Sequence, residues 1–228
     1  MDLVKIWKKQ YKNEVNYNGN VITLSGVIGD DWYGDISAYE VRKMLADVNE
    51  DITIKLNSPG GSAFEGIEIY NLLKDFPYKV TVEVTALAAS AATFICMAAD
   101  EVVMCTGSQM MIHNAWTYAA GNADDLMRVV EDLRSLDSSI NEIYTEKTGL
   151  ETEVVANYVK EAKMWNADET IEKGFAQRKK EVKPKEQANI DYEIVAQMIS
   201  EALEQKLNNI NTKNDQPDVQ EDGSCSMP

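Results

Sequence analysis

Apolar residues in the first 180 positions fall into short runs, separated by turn residues, with either alternating or helical spacing. Alternation with β-branched residues predicts strands, whereas apolar residues three or four positions apart predict helices. Strands are predicted at residues 21–24, 51–57, 79–85, 101–105 and 110–113. Helices are predicted at residues 36–48, 64–76, 88–99 and 122–147. This repeated strand-then-helix order predicts an α/β domain with mostly parallel strands and right-handed crossovers.

The character of the chain changes near residue 180, where a charged stretch replaces the alternating apolar runs. Residues 191–207 return to helical spacing, and the sequence after them has almost no apolar content. We therefore predict three parts: an N-terminal segment at 1–19, a folded domain at 20–180, and a C-terminal part at 181–228. The last part would contain a charged linker, an amphipathic helix and a disordered acidic tail.

Charge and composition exclude several classes of function. The 228 residues carry 22 Lys and Arg against 38 Asp and Glu, a formal net charge of −16, which disfavours binding to nucleic acid or to anionic membranes. No apolar run has the roughly 20 residues needed to span a bilayer, and the basic start lacks the apolar core of a secretory signal. Three cysteines without CxxC spacing, and a single histidine, predict neither a disulfide framework nor a metal site. A cytoplasmic protein without a cofactor is expected.

Two features with possible chemistry follow predicted strands directly. The sequence NSPGGS at 57–62 places two glycines at a strand-to-helix junction. There the free N–H groups of a helix start could face an anion or an oxyanion, although the same pattern also suits an ordinary Gly-rich turn. Ser90, in AASAA at 88–92, could occupy a sharp elbow with its hydroxyl exposed, or could simply be a small residue in a tightly packed helix.

His113 is the only histidine of the chain and ends the short apolar run at 110–112. Histidine is suited to general base catalysis near neutral pH, although a single histidine is more often structural. If the protein uses Ser–His chemistry, no other residue of this type is available as the base.

Taken in order, these motifs resemble the proteolytic subunit of the Clp protease family. The resemblance covers roughly residues 20–178. The segments that carry it are LNSPGGSAFEG at 56–66, ALAASAA at 86–92, MIHN at 111–114, KTG at 147–149, WNADE at 165–169 and KGFA at 173–176. The resemblance implies the ClpP/crotonase-like α/β fold of repeated β-β-α units, with a long handle helix that packs against a neighbouring subunit. It also implies a homo-oligomeric ring that acts on protein or peptide substrates.

The resemblance further implies a serine endopeptidase. Ser90 would be the nucleophile, His113 the base, and the backbone N–H groups of Gly61 and Ala91 the oxyanion hole. The sequences at 26–45 and 62–73 and the acidic tail resemble the ClpP-like head maturation proteases of tailed phages and prophages. Such an enzyme, ATP-independent or Clp-like, would cleave capsid-assembly or scaffold proteins in the bacterial cytoplasm or within the procapsid.

The third member of the triad departs from the family pattern. The family places an acid five residues before the Ala of its closing segment, and that position is Ala162. Adjacent Glu161 is the predicted substitute, while Asn166 and Asp168 are expected to cap a helix that begins near Ala167. A Ser–His dyad stays open as an alternative.

Other readings of the sequence follow from the same motifs. A catalytically weakened ring that serves as an assembly protein would explain Ala162. A crotonase-type acyl-CoA enzyme would share the oxyanion hole but would not need Ser90 together with His113, and a Ser–Lys peptidase of related fold would carry a membrane anchor.

Overall fold

The computed structural model describes residues 14–29, 35–181 and 197–204. The chain divides into two compact units, within which most residue contacts fall: Met1–Glu181 and Val182–Pro228. In the second unit, residues 197–204 are helical, within the stretch predicted as an amphipathic helix. The predicted charged linker and acidic tail lie outside the described residues. No helix in the described ranges has the length and apolar character needed to cross a bilayer.

The first unit is a mixed α/β structure, which confirms the predicted fold class. Its strands are β1 (Glu14–Asn18), β2 (Val21–Ser25), β3 (Ile52–Ser58), β4 (Val80–Ala89), β5 (Glu101–Met104), β6 (Gln109–Met111), β7 (Met164–Asn166) and β8 (Arg178–Lys179). Its helices are α1 (Ala38–Leu45), α2 (Ala63–Lys74), α3 (Ala92–Ala98), α4 (Ala123–Thr148), α5 (Thr152–Glu161) and α6 (Ala167–Glu172).

The eight strands form one sheet in the order β1-β2-β3-β4-β5-β8, with β6 paired to β4 and β7. Only the β1–β2 and β6–β7 pairs are antiparallel, so the sheet is mainly parallel as predicted. Alternate residues of its central strands are fully buried, among them Ile54, Leu56, Val82 and Val84. Burial of such side chains contributes about 1.5–3 kcal/mol each, which makes these strands the core of the unit.

Strand β4 changes partners along its length, and this change positions the functional residues. Its first half, from Thr81 to Val84, pairs with β5, whereas Leu87, Ala88 and Ala89 pair with β6. Between the halves, the register with β3 shifts in a bulge. Three neighbouring strands, β3, β4 and β6, therefore end close together.

The predicted bounds of two elements were wrong. The alanine run at 88–99 was expected to be helical from its start, but Ala88 and Ala89 belong to β4 and α3 begins at Ala92. A run of alanines shows neither the alternation typical of a strand nor the spacing typical of a helix. Pairing with β6 therefore decides the conformation of Ala88 and Ala89. Strand β6 ends at Met111, so His113 follows the strand instead of lying in it.

The ends of α4 agree with the prediction to within a residue. Asn122 caps its N-terminus in a capping box with Asp125, and Gly149 ends it in the left-handed conformation with φ +68°. The predicted cap of α6 is also confirmed for Asn166, whose side chain accepts a hydrogen bond from the Glu169 N–H.

Candidate active site

Ser90 lies on a sharp backbone elbow between β4 and α3. Its φ is +56°, a left-handed conformation that costs a non-glycine residue about 1–2 kcal/mol. The backbone hydrogen bonds on both sides hold the elbow: the Ser90 N–H donates to the Met111 carbonyl at 2.8 Å, and the Thr93 N–H donates to the Ser90 carbonyl at 2.9 Å. Backbone strain of this kind is concentrated at functional sites.

Thr93 adds a second link to the elbow. Its hydroxyl donates to the Ser90 carbonyl at 2.6 Å and lies 2.7 Å from the hydroxyl of Tyr144 in α4. Both side chains are fully buried, and burial raises the pKa of Tyr144, so its hydroxyl stays protonated. Because the single proton of Thr93 is directed to Ser90, Tyr144 must be the donor to Thr93.

The loop after β3, which contains Gly60 and Gly61, packs closely against the Ser90 elbow. A Cβ at Gly60 would lie 2.7 Å from the Ser90 Cβ and 2.8 Å from the Ala91 nitrogen, so only glycine permits this approach. On its other side the loop is bonded to Ile28, whose N–H donates to the Gly60 carbonyl and whose carbonyl accepts from the Ser62 N–H, both at 2.9 Å. A Cβ at Gly61 would lie 1.9 Å from the Ile28 carbonyl oxygen.

The N–H groups of Gly61 and Ala91 are not used by the fold. Within the described ranges neither donates a hydrogen bond, whereas the flanking N–H groups of Gly60, Ser62 and Ser90 all do. Two unbonded N–H donors on either side of the serine elbow are what an oxyanion hole needs.

A cavity of about 1010 Å³ brings the predicted residues together. Gly61, Ser90, Ala91 and His113 all line it. Much of the remaining wall is apolar and includes Phe94, Trp116, Leu133, Leu136, Ile140 and Met164. A cavity of this size and character fits an apolar side chain of an extended peptide.

Glu161 is not among the residues that line this cavity. It ends α5, and its half-exposed carboxylate lies 3.4 Å from the Lys163 ammonium group. No described residue hydrogen-bonds the imidazole of His113. In this structure, therefore, Glu161 is paired with a lysine and does not contact the histidine.

Ala162 lies in the turn between α5 and β7. The antiparallel ladder of β6 and β7 pairs Met110 with Trp165 and Met111 with Met164 and ends there, so it includes neither His113 nor Ala162. Ala162 also has a left-handed φ of +51°, a conformation in which Asp and Asn are enriched.

Sequence reasoning missed three residues that support the site: Thr93, Asp137 and Tyr144. Asp137 accepts a hydrogen bond from the N–H of Ala115, two residues beyond His113. Thr93 carries a weak local signal, since it lies three residues after the candidate nucleophile. The two α4 residues have no local signal, because their partners are distant in sequence.

The fold and this cavity define a class of protein: an α/β protein of the ClpP type, with a serine elbow and a histidine facing one cavity. The chain belongs to the Clp protease family, whose model matches residues 8–181. It is 27% identical over 172 residues to the ATP-dependent Clp protease proteolytic subunit 3 of Rhodococcus jostii strain RHA1, covering 71% of this chain and 81% of that protein.

Among solved structures, the chain is similar to a mutant of ClpP1 from Listeria monocytogenes. The TM-score is 0.62 with 23% sequence identity, and the match covers 72% of this chain and 93% of the other. At this level of identity the likeness supports the fold. The family match favours a protease over the crotonase-type alternative.

Proposed function

We propose that the protein is a serine endopeptidase in which Ser90 attacks the scissile carbonyl. His113 takes the serine proton and later transfers it to the leaving amine, and the Gly61 and Ala91 N–H groups stabilise the oxyanion. One observation carries the proposal: the strained Ser90 elbow, two unbonded N–H donors and the only histidine share one cavity.

The contacts around His113 favour a Ser–His dyad. Glu161 is paired with Lys163 and would reach His113 only if that ion pair broke and the turn after α5 moved. A dyad retains the nucleophile, the base and the oxyanion donors, but it lacks a carboxylate to stabilise the imidazolium that forms during attack. We therefore expect slow peptide hydrolysis.

A fluorophosphonate probe tests the proposal because it phosphonylates an activated serine, whose oxygen attacks phosphorus and displaces fluoride. We expect labelling that maps to Ser90 by mass spectrometry and is lost in Ser90→Ala. His113→Ala should reduce peptide hydrolysis to a similar background, and the double variant should cost little more than either single one, because such residues act as a unit. Unlabelled, correctly assembled wild-type protein would reject the protease.

The biological role that we propose is maturation of phage or prophage heads. Its support is the resemblance of residues 26–45 and 62–73 to the ClpP-like head maturation proteases. The substrates would be capsid-assembly or scaffold proteins. Coexpression with capsid-assembly proteins of the phage or prophage that would encode it should yield shortened products that are absent with Ser90→Ala. Uncut partners would contradict this role.

The second candidate function is a weakly catalytic or inactive ring that supports assembly. Ala162 favours it, because this residue occupies the sequence position at which the family pattern has an acid. Under this alternative, Ser90→Ala would have no effect on capsid formation, whereas loss of the whole protein would prevent it.

A further inference from the structure

The segment that carries His113 has no regular secondary structure of its own. Both ladders of β6 end at Met111, which pairs with Ala89 on one side and Met164 on the other. The chain from residue 112 to 121 then belongs to no helix or strand. A base on such a segment depends on contacts beyond the sheet for its position.

The first backbone hydrogen bond beyond the ladder, within the described ranges, joins this segment to α4. The N–H of Ala115 donates to Oδ1 of Asp137 at 2.7 Å, and both residues are half-buried. His113 therefore lies midway between two fixed points, Met111 in the sheet and Ala115, whose N–H is bonded to α4. Hydrogen bonds to a charged acceptor are stronger than neutral ones, so a single bond can hold the segment.

The nucleophile is tied to the same helix. Tyr144 donates to Thr93, and Thr93 donates to the carbonyl of Ser90. Asp137 and Tyr144 are seven residues apart in α4, or two helical turns, so they lie on one face about 10 Å apart along the axis.

We infer that α4 is the frame that sets the distance between nucleophile and base, with Asp137 and Tyr144 as its two positioning residues. Asp137 holds the segment of His113, and Tyr144 holds the Ser90 elbow through Thr93. The inference rests on the proposed serine protease function. Neither residue takes part in the chemistry, because Asp137 bonds a backbone N–H and leaves the imidazole free to receive the serine proton.

Three variants separate positioning by Asp137 from a merely structural role. Asp137→Ala removes the acceptor, Asp137→Asn keeps a carbonyl oxygen for the Ala115 N–H, and Glu131→Ala removes a charge from an exposed part of the same helix. For a fluorogenic peptide with Leu before the scissile bond, we expect kcat to fall about 10- to 100-fold in Asp137→Ala with little change in KM. We expect Asp137→Asn to stay within about threefold of wild type, and Glu131→Ala to match it.

Carbethoxylation by diethyl pyrocarbonate gives a readout that does not depend on activity. His113 is the only histidine, so the histidine signal reports on this residue alone. Loss of the Asp137 bond should release the segment and speed the modification several-fold, whereas Asp137→Asn and Glu131→Ala should react at the wild-type rate. If Asp137→Ala fails to fold, Asp137→Ser serves instead, because its hydroxyl is about 1 Å too short to replace the carboxylate.

Tyr144→Phe tests the other half of the frame. It should slow fluorophosphonate labelling of Ser90 about tenfold or more while leaving the carbethoxylation rate of His113 unchanged. Wild-type kcat and wild-type histidine reactivity in Asp137→Ala would overturn the inference. Unlabelled wild-type protein would instead reject the protease itself, and the histidine reactivity would still decide whether Asp137 holds the segment.

Discussion

Gly61 is constrained both by its proposed role as an oxyanion donor and by its close packing against Ile28. Its φ is +153°, and a Cβ there would lie 1.9 Å from the Ile28 carbonyl oxygen. We predict that Gly61→Ala displaces the loop by enough to lower kcat at least about 100-fold, because a shift of about 1 Å can cost that much. Peptide hydrolysis and fluorophosphonate labelling measure the effect.

Gly107→Ala is the matched control for this substitution. Gly107 also has a positive φ, of +79°, but a Cβ there would meet nothing within 4 Å, and it does not line the Ser90 cavity. Through backbone strain, Gly107→Ala should lower the free energy of unfolding by about 1 kcal/mol, while peptide hydrolysis stays nearly normal. Equal losses of activity at both glycines would contradict a specific role of Gly61.

Ala162 offers a gain-of-function prediction. The family pattern has an acid at its sequence position, and its left-handed φ suits an aspartate, so Ala162→Asp should supply the carboxylate that the proposed dyad lacks. We expect kcat to rise tenfold or more, since an orienting acid is worth up to about 10⁴-fold in serine proteases. Ala162→Asn, with the same shape and no charge, should give no comparable increase.

Glu161→Gln completes this comparison. Because the Glu161 carboxylate is paired with Lys163, we expect the substitution to leave kcat close to wild type. A loss of several orders of magnitude would instead identify Glu161 as the third member, as the sequence predicted, and would require the turn after α5 to rearrange in the active protein.

Among the elements, α2 and α4 are linked by a cluster of three side chains. The Lys74 ammonium group and the Tyr70 hydroxyl both donate to the carboxylate of Glu146, at 3.0 and 3.1 Å. The bond from Lys74, followed by that from Tyr70, lowers the pKa of Glu146. Burial, followed by the bond to Glu146, raises the pKa of Tyr70 to about 12.

This cluster predicts a pH dependence of stability. A carboxyl group with a lowered pKa in the folded state stabilises the protein above its ordinary pKa of about 4.3, and this contribution is lost as the pH falls through the lower, folded-state value. Glu146→Gln should therefore reduce the free energy of unfolding at pH 7 by only about 0.5 kcal/mol, because the side chain is half-exposed. Below the folded-state pKa of Glu146, urea unfolding should give the same free energy of unfolding for Glu146→Gln and wild type. A difference that stays constant with pH would contradict the prediction.

The sequence could predict those elements whose signals are local. Helix α4 has apolar spacing over its whole length and caps at both ends, Asn122 and Gly149, so its bounds were predicted almost correctly. Strand β1 is mostly exposed and polar and was missed, because its pairing with β2 forms it rather than any apolar pattern. The alanines of β4 were misassigned for the same reason.

For the candidate site, the motifs supplied Gly61, Ser90, Ala91 and His113, and the structure brings all four to one cavity. The sequence did not predict the contacts that hold these four residues in position. The Asp137–Ala115 and Tyr144–Thr93 contacts join residues 22 and 51 positions apart, and neither partner shows a motif. Such pairs become visible only when packing brings the helix against the loop.

At the scale of the whole molecule, exposed apolar residues near the N-terminal end of α4 predict self-association. Leu126, Met127 and Val130 are 41%, 56% and 38% exposed near its N-terminal end, and monomeric proteins seldom leave such apolar patches uncovered. We predict a ring-shaped homo-oligomer, as the resemblance to the family implies, whose sedimentation gives a multiple of 25.5 kDa.

Met127→Glu should break the ring into smaller species, because it places a charge in the expected interface. Glu131→Ala, an exposed change on the same helix, should leave the ring intact. A stable 25.5 kDa wild-type species at micromolar concentration would contradict the ring.

The left-handed backbone conformation of Ser90 lowers the stability of the fold, although the proposed mechanism places the nucleophile there. Ser90→Ala and Ser90→Gly both remove the proposed nucleophile, but only glycine also relieves the strain of the φ of +56°. The inactive glycine variant should therefore unfold at a higher temperature than the inactive alanine variant, by about 1 kcal/mol in free energy. The backbone of Ser90 would therefore be a place where the proposed chemistry costs the fold stability, and thermal unfolding of the two inactive variants measures that cost.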